Sequence, residues 1–234
     1  MKYFLIMSWV LWGFLYAQPG TEKQLTKRGL ERMQTGDFEG AAKDFTIVIS
    51  LNSVNDAAYY NRGYANQKLQ NHTDAIKDFT YSIDIKPDNP DAYYNRGVSK
   101  LALEDFYGAM TDFNIAIKGR SKDPRFFVNR ARAKSGLKDF RGAISDYTVA
   151  MKMDNNIEFL YERAYAKVSI KDFVGAVEDL TEVIRREPGK FEPYNARATV
   201  KYQGGDKDGA CQDWSRAGEM GDVSAYEKIG KFCN

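Results

Sequence analysis

The sequence predicts an all-α fold, an α-solenoid built from repeated helix-turn-helix units. From Glu22 onward the chain repeats itself every 34 residues, with one interval of 33. In both halves of each repeat the apolar residues follow helical spacings, and a polar or glycine-containing break separates the halves. One helical hairpin cannot bury both of its apolar faces, so the repeat predicts a stack of successive hairpins.

Four positions of the repeat carry the same kind of residue in every block. Position 8 is small: Gly29, Gly63, Gly97, Ala131, Ala164, Ala198. Position 20 is alanine: Ala41, Ala75, Ala109, Ala143, Ala176, Ala210. Position 24 is large: Phe45, Phe79, Phe113, Tyr147, Leu180, Trp214. Position 4 is apolar or aromatic: Leu25, Tyr59, Tyr93, Phe127, Leu160, Tyr194. Small residues at positions 8 and 20 let two helices approach closely, and the large residue at position 24 fills the space beside them.

The period divides the chain into six repeats and a final helix. The predicted repeats are residues 22–55, 56–89, 90–123, 124–156, 157–190 and 191–220. Residues 222–233 are predicted to form a capping helix with Asp222 as its N-cap residue. Such a helix is needed because the last repeat would otherwise expose its apolar face.

These recurring residues resemble the tetratricopeptide repeat family over residues 22 to about 220. The family's pattern has Gly or Ala at position 8, Ala at 20, an aromatic residue at 24 and Pro near 32, which survives here as Pro87 and Pro188. The resemblance implies a right-handed α-solenoid whose first helices line a concave groove, and the repeat style is similar to bacterial exported or envelope members. The chain departs from the pattern at position 7, which is Arg, and at position 11, which is Arg32, Asn66 or, in the other blocks, Lys.

An arginine at position 7 and an aspartate at position 23 recur in every block. The arginines are Arg28, Arg62, Arg96, Arg130, Arg163 and Arg197. The aspartates are Asp44, Asp78, Asp112, Asp146, Asp179 and Asp213. A guanidinium can pair with both oxygens of a carboxylate, so we interpret the pattern as a structural ladder of ion pairs, within or between repeats. The alternative, convergence of these charges on a ligand, is disfavoured because a pair found in every repeat serves something that every repeat needs.

The resemblance also implies which side chains face a bound partner. Positions 5, 9 and 12 supply tyrosines, position 6 supplies asparagines, and positions 2 and 9 of the fourth repeat supply arginines. The predicted partner-binding residues are Tyr60, Tyr64, Tyr94, Tyr161, Tyr165, Tyr202, Asn61, Asn95, Asn129, Arg125 and Arg132. Tyrosine combines a large contact area with a polar tip, which suits protein recognition.

Both cysteines lie near the end of the chain. Cys211 occupies position 21, which is apolar in the other blocks, and should face the capping helix that ends near Cys233. An even number of cysteines in an exported chain favours one disulfide between them. The alternative is a buried, apolar Cys211 and an unattached Cys233.

The composition argues against most enzymes and against nucleic-acid binding. The 234 residues include one His and two Cys, and 34 Lys and Arg nearly balance 32 Asp and Glu, for a formal net charge of +2. Nucleic-acid binding normally needs a basic patch or stripe. P-loop, G-x-S-x-G, H-E-x-x-H and Rossmann motifs are missing from the sequence. We therefore expect no catalytic residue, metal, cofactor, small-molecule substrate or nucleic-acid partner.

Residues 1–17 predict a secretory signal peptide. Lys2 precedes an apolar run that ends at Ala17, and a Gln-Pro-Gly turn follows. A spanning helix needs about 20 apolar residues, so we expect export to the periplasm or the extracellular space. In the alternative, residues 3–17 are kept as a membrane anchor, which a mature N terminus at Gln18 would exclude.

Together these features predict a non-catalytic protein–protein interaction scaffold that holds an extended segment or helix of a partner protein. One alternative is a membrane-tethered assembly factor of an envelope complex. Another, from a different class, is an enzyme that gathers the Arg and Asp side chains of the ladder in a closed pocket.

Overall fold

The structure, a computed structural model, describes residues 19–120 and 122–233. The leader predicted for residues 1–17 lies outside these ranges. Within them the chain forms thirteen α-helices and no β-strand: α1 (Pro19–Thr35), α2 (Phe38–Leu51), α3 (Asp56–Lys68), α4 (His72–Ile85), α5 (Pro90–Ala102), α6 (Phe106–Gly119), α7 (Pro124–Gly136), α8 (Phe140–Met153), α9 (Ile157–Ser169), α10 (Phe173–Arg186), α11 (Glu192–Gln203), α12 (Lys207–Glu219) and α13 (Val223–Phe232). The predicted all-α repeat fold is confirmed.

The helices belong to two compact units, Met1–Asp105 and Phe106–Asn234. The first unit contains α1 to α5 and the second contains α6 to α13. Within each unit every helix packs against the next one in the chain. The boundary between the two units falls inside the third predicted repeat. Its first helix, α5, therefore belongs to the first unit and its second helix, α6, to the second unit.

Inside a repeat, the small residue at position 8 faces the ring at position 24. A Cβ atom on Gly29 would lie 2.9 Å from Cζ of Phe45, and one on Gly63 would lie 3.1 Å from Cδ1 of Phe79. Both rings are fully buried, so they have little room to give way. Ala41, at position 20, is also fully buried, in the apolar cluster that contains Phe45. The close helix approach that these positions predict is present in both repeats.

The turn between the two helices of a repeat has a constant construction. The second-last residue before the second helix has a positive φ, which is +83° at Gly36 and +62° at Lys138 and Lys171. The following aspartate caps the next helix; Asp139, for example, accepts a hydrogen bond from the backbone N–H of Gly142 at 3.0 Å. The left-handed conformation ends one helix, and the aspartate satisfies a free donor at the start of the next.

Lys138→Gly is expected to raise the free energy of unfolding by about 0.5–1 kcal/mol, because glycine adopts a positive φ without the steric cost that a side chain carries. Urea denaturation followed by circular dichroism measures the change. Lys138→Ala keeps the Cβ atom and is the matched control. Lys43→Gly, in the interior of α2, should lower stability by about 1 kcal/mol. Equal midpoints for the Gly and Ala variants of Lys138 would contradict the assignment of strain to this turn.

The capping helix α13 covers the end of the last repeat. Trp214 of α12 stacks on Phe232 of α13 with ring centroids 5.7 Å apart, and Tyr202 of α11 lies 4.8 Å from the same ring. Asp222 caps α13 by accepting from the backbone N–H of Ser224 at 3.0 Å, and it also accepts from the amide of Asn195. The apolar face of the last repeat is thus buried against α13.

Cys211 and Cys233 form a disulfide at the C-terminal end of α13. Their sulfur atoms are bonded at 2.04 Å and their Cα atoms lie 5.8 Å apart. The bond joins α12 to the C-terminal end of α13, and therefore ties down the last helix of the chain.

Candidate binding surface on the first helices

The recurring arginine and aspartate side chains pair within their own repeat. In the fifth repeat, Nε of Arg163 donates to Oδ2 of Asp179 at 3.0 Å and Nη2 donates to Oδ1 at 2.6 Å. Asp179 is 4% exposed. The same two-pronged geometry is present in Arg28–Asp44, Arg62–Asp78, Arg130–Asp146 and Arg197–Asp213. Arg96 and Asp112 belong to different units, and their pairing stays a prediction.

A second cation, which the ladder interpretation missed, also contacts the aspartate in four of the repeats. It occupies position 11, one helical turn after the arginine. Nζ of Lys167 lies 2.9 Å from Oδ2 of Asp179 and donates to the carbonyl of Gly175 at 3.0 Å. Lys134, Lys201 and Arg32 contact their aspartates in the same way, and Asn66 replaces the cation in the second repeat. The signal was available in the sequence, since positions 7 and 11 share one helix face.

The arginines also connect neighbouring repeats. Nη1 of Arg163 donates to Oγ1 of Thr148 in the preceding repeat at 2.9 Å, and Nη1 of Arg197 donates to Oγ1 of Thr181 at 3.0 Å. The guanidinium groups of Arg62, Arg130, Arg163 and Arg197 therefore each bind the second helix of their own repeat and the second helix of the repeat before it. Within each unit, the arginine and aspartate side chains of the ladder are paired separately in each repeat and do not converge on one pocket.

In the first unit the predicted partner-binding residues are partly engaged with one another. Asn95 donates from Nδ2 to Oη of Tyr60 at 2.9 Å and to the carbonyl of Asp91 at 2.9 Å. The ring of Tyr60 also contacts Phe79, with centroids 5.7 Å apart. The Asn95 side chain is 7% exposed, so its amide serves the packing of α3 against α5.

The remaining predicted residues of the first unit are half-buried. The ammonium of Lys68 lies 5.1 Å from the ring centroid of Tyr64. Asn61 and Tyr94 are also half-buried. Buried hydrogen bonds that the sequence did not indicate also join α3 to α5. Gln67 donates to the carbonyl of Asn95 and to Oγ of Ser99, both at 2.8 Å.

In the second unit the two predicted arginines have acidic partners. Arg125 pairs with Asp123, the N-cap of its own helix, at 2.7 Å. Asn129 donates to the carbonyl of Arg125 at 3.0 Å. Arg132 makes a two-pronged contact with Glu162 of α9, with Nε 3.0 Å from Oε2. An acidic group of a partner would have to compete with these carboxylates.

Three of the predicted residues, Arg132, Tyr161 and Tyr165, line one pocket. We call it the Tyr161 pocket; it has a volume of about 360 Å³ and is lined by Arg132, Ser135, Tyr147, Tyr161, Glu162 and Tyr165. It lies where α7 and α9, the first helices of two successive repeats, come together above α8. Tyr165 is 67% exposed and Tyr161 is half-buried, so two aromatic side chains remain available to a ligand.

The floor of the Tyr161 pocket is rigid and polar. Oη of Tyr147 donates to Oε2 of Glu162 at 2.5 Å. Burial, together with this hydrogen bond and the charge of Glu162, raises the pKa of Tyr147 far above its ordinary value, so the phenol stays protonated and acts as the donor. Glu162 is therefore held from two sides, by Tyr147 and by Arg132.

Tyr202 has a different environment from the other predicted tyrosines. Its ring lies 5.8 Å from Trp214 and 4.8 Å from Phe232. It therefore packs against the capping helix and contributes to the end of the repeat array.

A larger cavity of about 680 Å³ lies in the first unit, between α2 and α4. Its lining combines charged residues, such as Glu39, Lys43 and Asp74, with apolar ones such as Ile47 and Leu69. Among the predicted partner-binding residues, none lines it. The Tyr161 pocket is the better candidate because exposed aromatic rings and predicted residues coincide there.

The described fold is that of a protein made of paired α-helical repeats with a side-chain pocket on its first helices. Residues 26–90 match the sequence model of the tetratricopeptide repeat family, and the predicted resemblance to that family is confirmed. No curated protein sequence matches the chain.

Solved tetratricopeptide repeat structures share the fold. YrrB, described as having an unusual peptide-binding site, aligns with a TM-score of 0.70 at 16% identity over 81% of this chain and 99% of its own. PilW, a type IV pilus biogenesis factor, aligns with a TM-score of 0.70 at 15% identity over 89% of this chain and 97% of its own. MamA from Desulfovibrio magneticus RS-1 aligns with a TM-score of 0.69 at 18% identity over 72% and 96%. At these identities the likeness concerns the fold.

Among the described helices, none has the length and apolar character needed to cross a membrane.

Proposed function

We propose that this protein is a non-catalytic scaffold that binds an extended segment or a helix of a partner protein on its first helices. The observation that carries the proposal is the Tyr161 pocket, where the half-buried ring of Tyr161 and the exposed ring of Tyr165 lie beside the Arg132–Glu162 ion pair. Aromatic and arginine side chains around a concave site are the usual anchors of protein recognition.

The ladder supports a scaffold rather than an enzyme. Its aspartates are buried, and Asp44, Asp78, Asp146, Asp179 and Asp213 are each held by two donors from their own repeat. A catalytic group must reach a substrate, and these carboxylates are occupied by structural partners in repeat after repeat. Among the described residues there is no group of three His, Cys, Asp or Glu that could hold a metal ion.

We place the protein outside the cytoplasm. The bonded pair Cys211–Cys233 supports this location because disulfides persist in oxidising compartments. The signal-like character of residues 1–17 agrees with it. The partner is therefore proposed to be a protein of the same extracytoplasmic space.

The double variant Tyr161→Ala/Tyr165→Ala is expected to weaken partner capture by about 30-fold, the effect of losing an interface anchor worth about 2 kcal/mol. The measurement is a pulldown from the native extracytoplasmic fraction with the full chain as bait, quantified by mass spectrometry. Binding of each enriched protein is then titrated against the wild type and the variant.

Tyr107→Ala/Val174→Ala is the matched control. Both residues are more than two-thirds exposed, at 70% and 74%, and lie on second helices of the same unit. This variant should capture the partner as the wild type does. Loss of binding in both variants, or in neither, would argue against the proposed surface. A melting temperature that drops steeply for the tyrosine variant would show that these rings are part of the core.

A further inference from the structure

We propose that the Tyr161 pocket receives a lysine or arginine side chain of the bound segment. This inference rests on the proposed function and specifies the chemistry of the partner. The cationic group of this side chain lies against the two tyrosine rings and close to the carboxylates around them.

The rings are the first reason. Tyr161 and Tyr165 are four residues apart on α9, so they lie on the same face of the helix. The face of a tyrosine ring attracts cations, with a preference for arginine. Tyr165 is largely exposed, so a ligand cation can approach its face.

The local charges are the second reason. Glu158 lies one turn before Glu162 on α9. Burial raises the pKa of Tyr161, and so do the nearby carboxylates of Glu187 and Glu192. Glu162 is paired with Arg132, and Glu187 with Lys190. Glu158 and Glu192 form no salt bridge among the described residues, although Lys190 also interacts with the charge of Glu192. Four carboxylates near the rings therefore share two cations, Arg132 and Lys190.

An acidic side chain fits this pocket poorly. To bind Arg132 it would have to displace Glu162, whose second oxygen also accepts from the buried Tyr147 hydroxyl. Displacement would leave a half-buried carboxylate without its donors, which is costly. A cation can enter without breaking either contact.

The test uses phage-displayed random linear peptides selected on the full chain. Selected peptides are counter-screened on Tyr161→Ala/Tyr165→Ala, and those that lose binding are kept as pocket ligands. We expect them to share a Lys or Arg, and replacing that residue by Gln should weaken binding about 10-fold or more. Their affinity should also fall as salt is raised.

The outcomes separate the two proposals. Pocket ligands that tolerate the change of every Lys and Arg to Gln would overturn this inference and leave the proposed function standing. A selection that yields no peptide dependent on the two tyrosines would overturn both.

Charge variants provide an independent check. Glu158→Gln/Glu192→Gln should weaken the basic pocket ligands about 3- to 10-fold, whereas Glu178→Gln, an exposed carboxylate on the second helix of the same repeat, should not. Equal affinity for the double variant and the wild type would contradict the role given to these carboxylates.

Discussion

Replacing Asp179 by alanine is expected to lower the free energy of unfolding by about 3–5 kcal/mol, the usual cost of breaking a buried ion pair from one side. The carboxylate is 4% exposed and binds both Arg163 and Lys167. Those cations have side-chain exposures of only 17% and 12%. Alanine therefore leaves two positive charges poorly hydrated and adjacent to each other. Urea denaturation followed by circular dichroism measures the loss.

Two comparisons test this explanation. Asp74→Ala removes a carboxylate from an exposed pair with Lys77 and should leave the free energy of unfolding nearly unchanged, because water screens an exposed ion pair. The triple variant Arg163→Met/Lys167→Met/Asp179→Leu removes all three charges and should recover at least half of the loss, because no unpaired charge remains. If the triple variant is as unstable as Asp179→Ala, the cost comes from lost packing and not from stranded charge.

Removing the disulfide with Cys211→Ala/Cys233→Ala is expected to lower stability by about 3 kcal/mol, the chain-entropy value for a loop of about 22 residues. The bond holds the end of α13 against α12, so the loss should be local. Hydrogen exchange should accelerate most in residues 223–232, where a terminal helix would otherwise fray.

The reductant dithiothreitol supplies the matched control. It should bring the wild-type protein to the stability of the alanine variant and should leave the variant unchanged. Labelling of both cysteines in the untreated protein by a thiol reagent would show that the bond is not formed.

Some contacts of the recurring residues can be predicted from the sequence, and others need the structure. The pairing of position 7 with position 23 followed from their recurrence, but the choice between pairing within or between repeats needed coordinates. The structure shows that the arginine does both, with an aspartate of its own repeat and a threonine of the preceding one. Position 11 had been noted only as a departure from the family pattern, although its spacing from position 7 places both cations on one face.

The tyrosines show why a binding surface is harder to predict than a fold. Tyr60, Tyr165 and Tyr202 occupy positions that the resemblance assigns to one groove. The structure places Tyr60 against Phe79, leaves Tyr165 exposed, and packs Tyr202 on Phe232. The three residues stand at positions 5, 9 and 12 of their repeats, so each ring meets a different set of side chains from the neighbouring helices.

The all-α repeat can be predicted from the sequence alone, because helical spacing and turn residues are local properties that recur about every 34 residues. Which small and large residues meet inside each hairpin can also be predicted, since their separation along the chain is constant. Only the tertiary structure decided which polar side chains are consumed by internal contacts and which stay available. Arg132 and Glu162 are 30 residues apart, and their meeting depends on how closely and at what rotation α7 and α9 approach. That geometry is set by the packing of all the side chains between the helices, which no spacing in the sequence encodes.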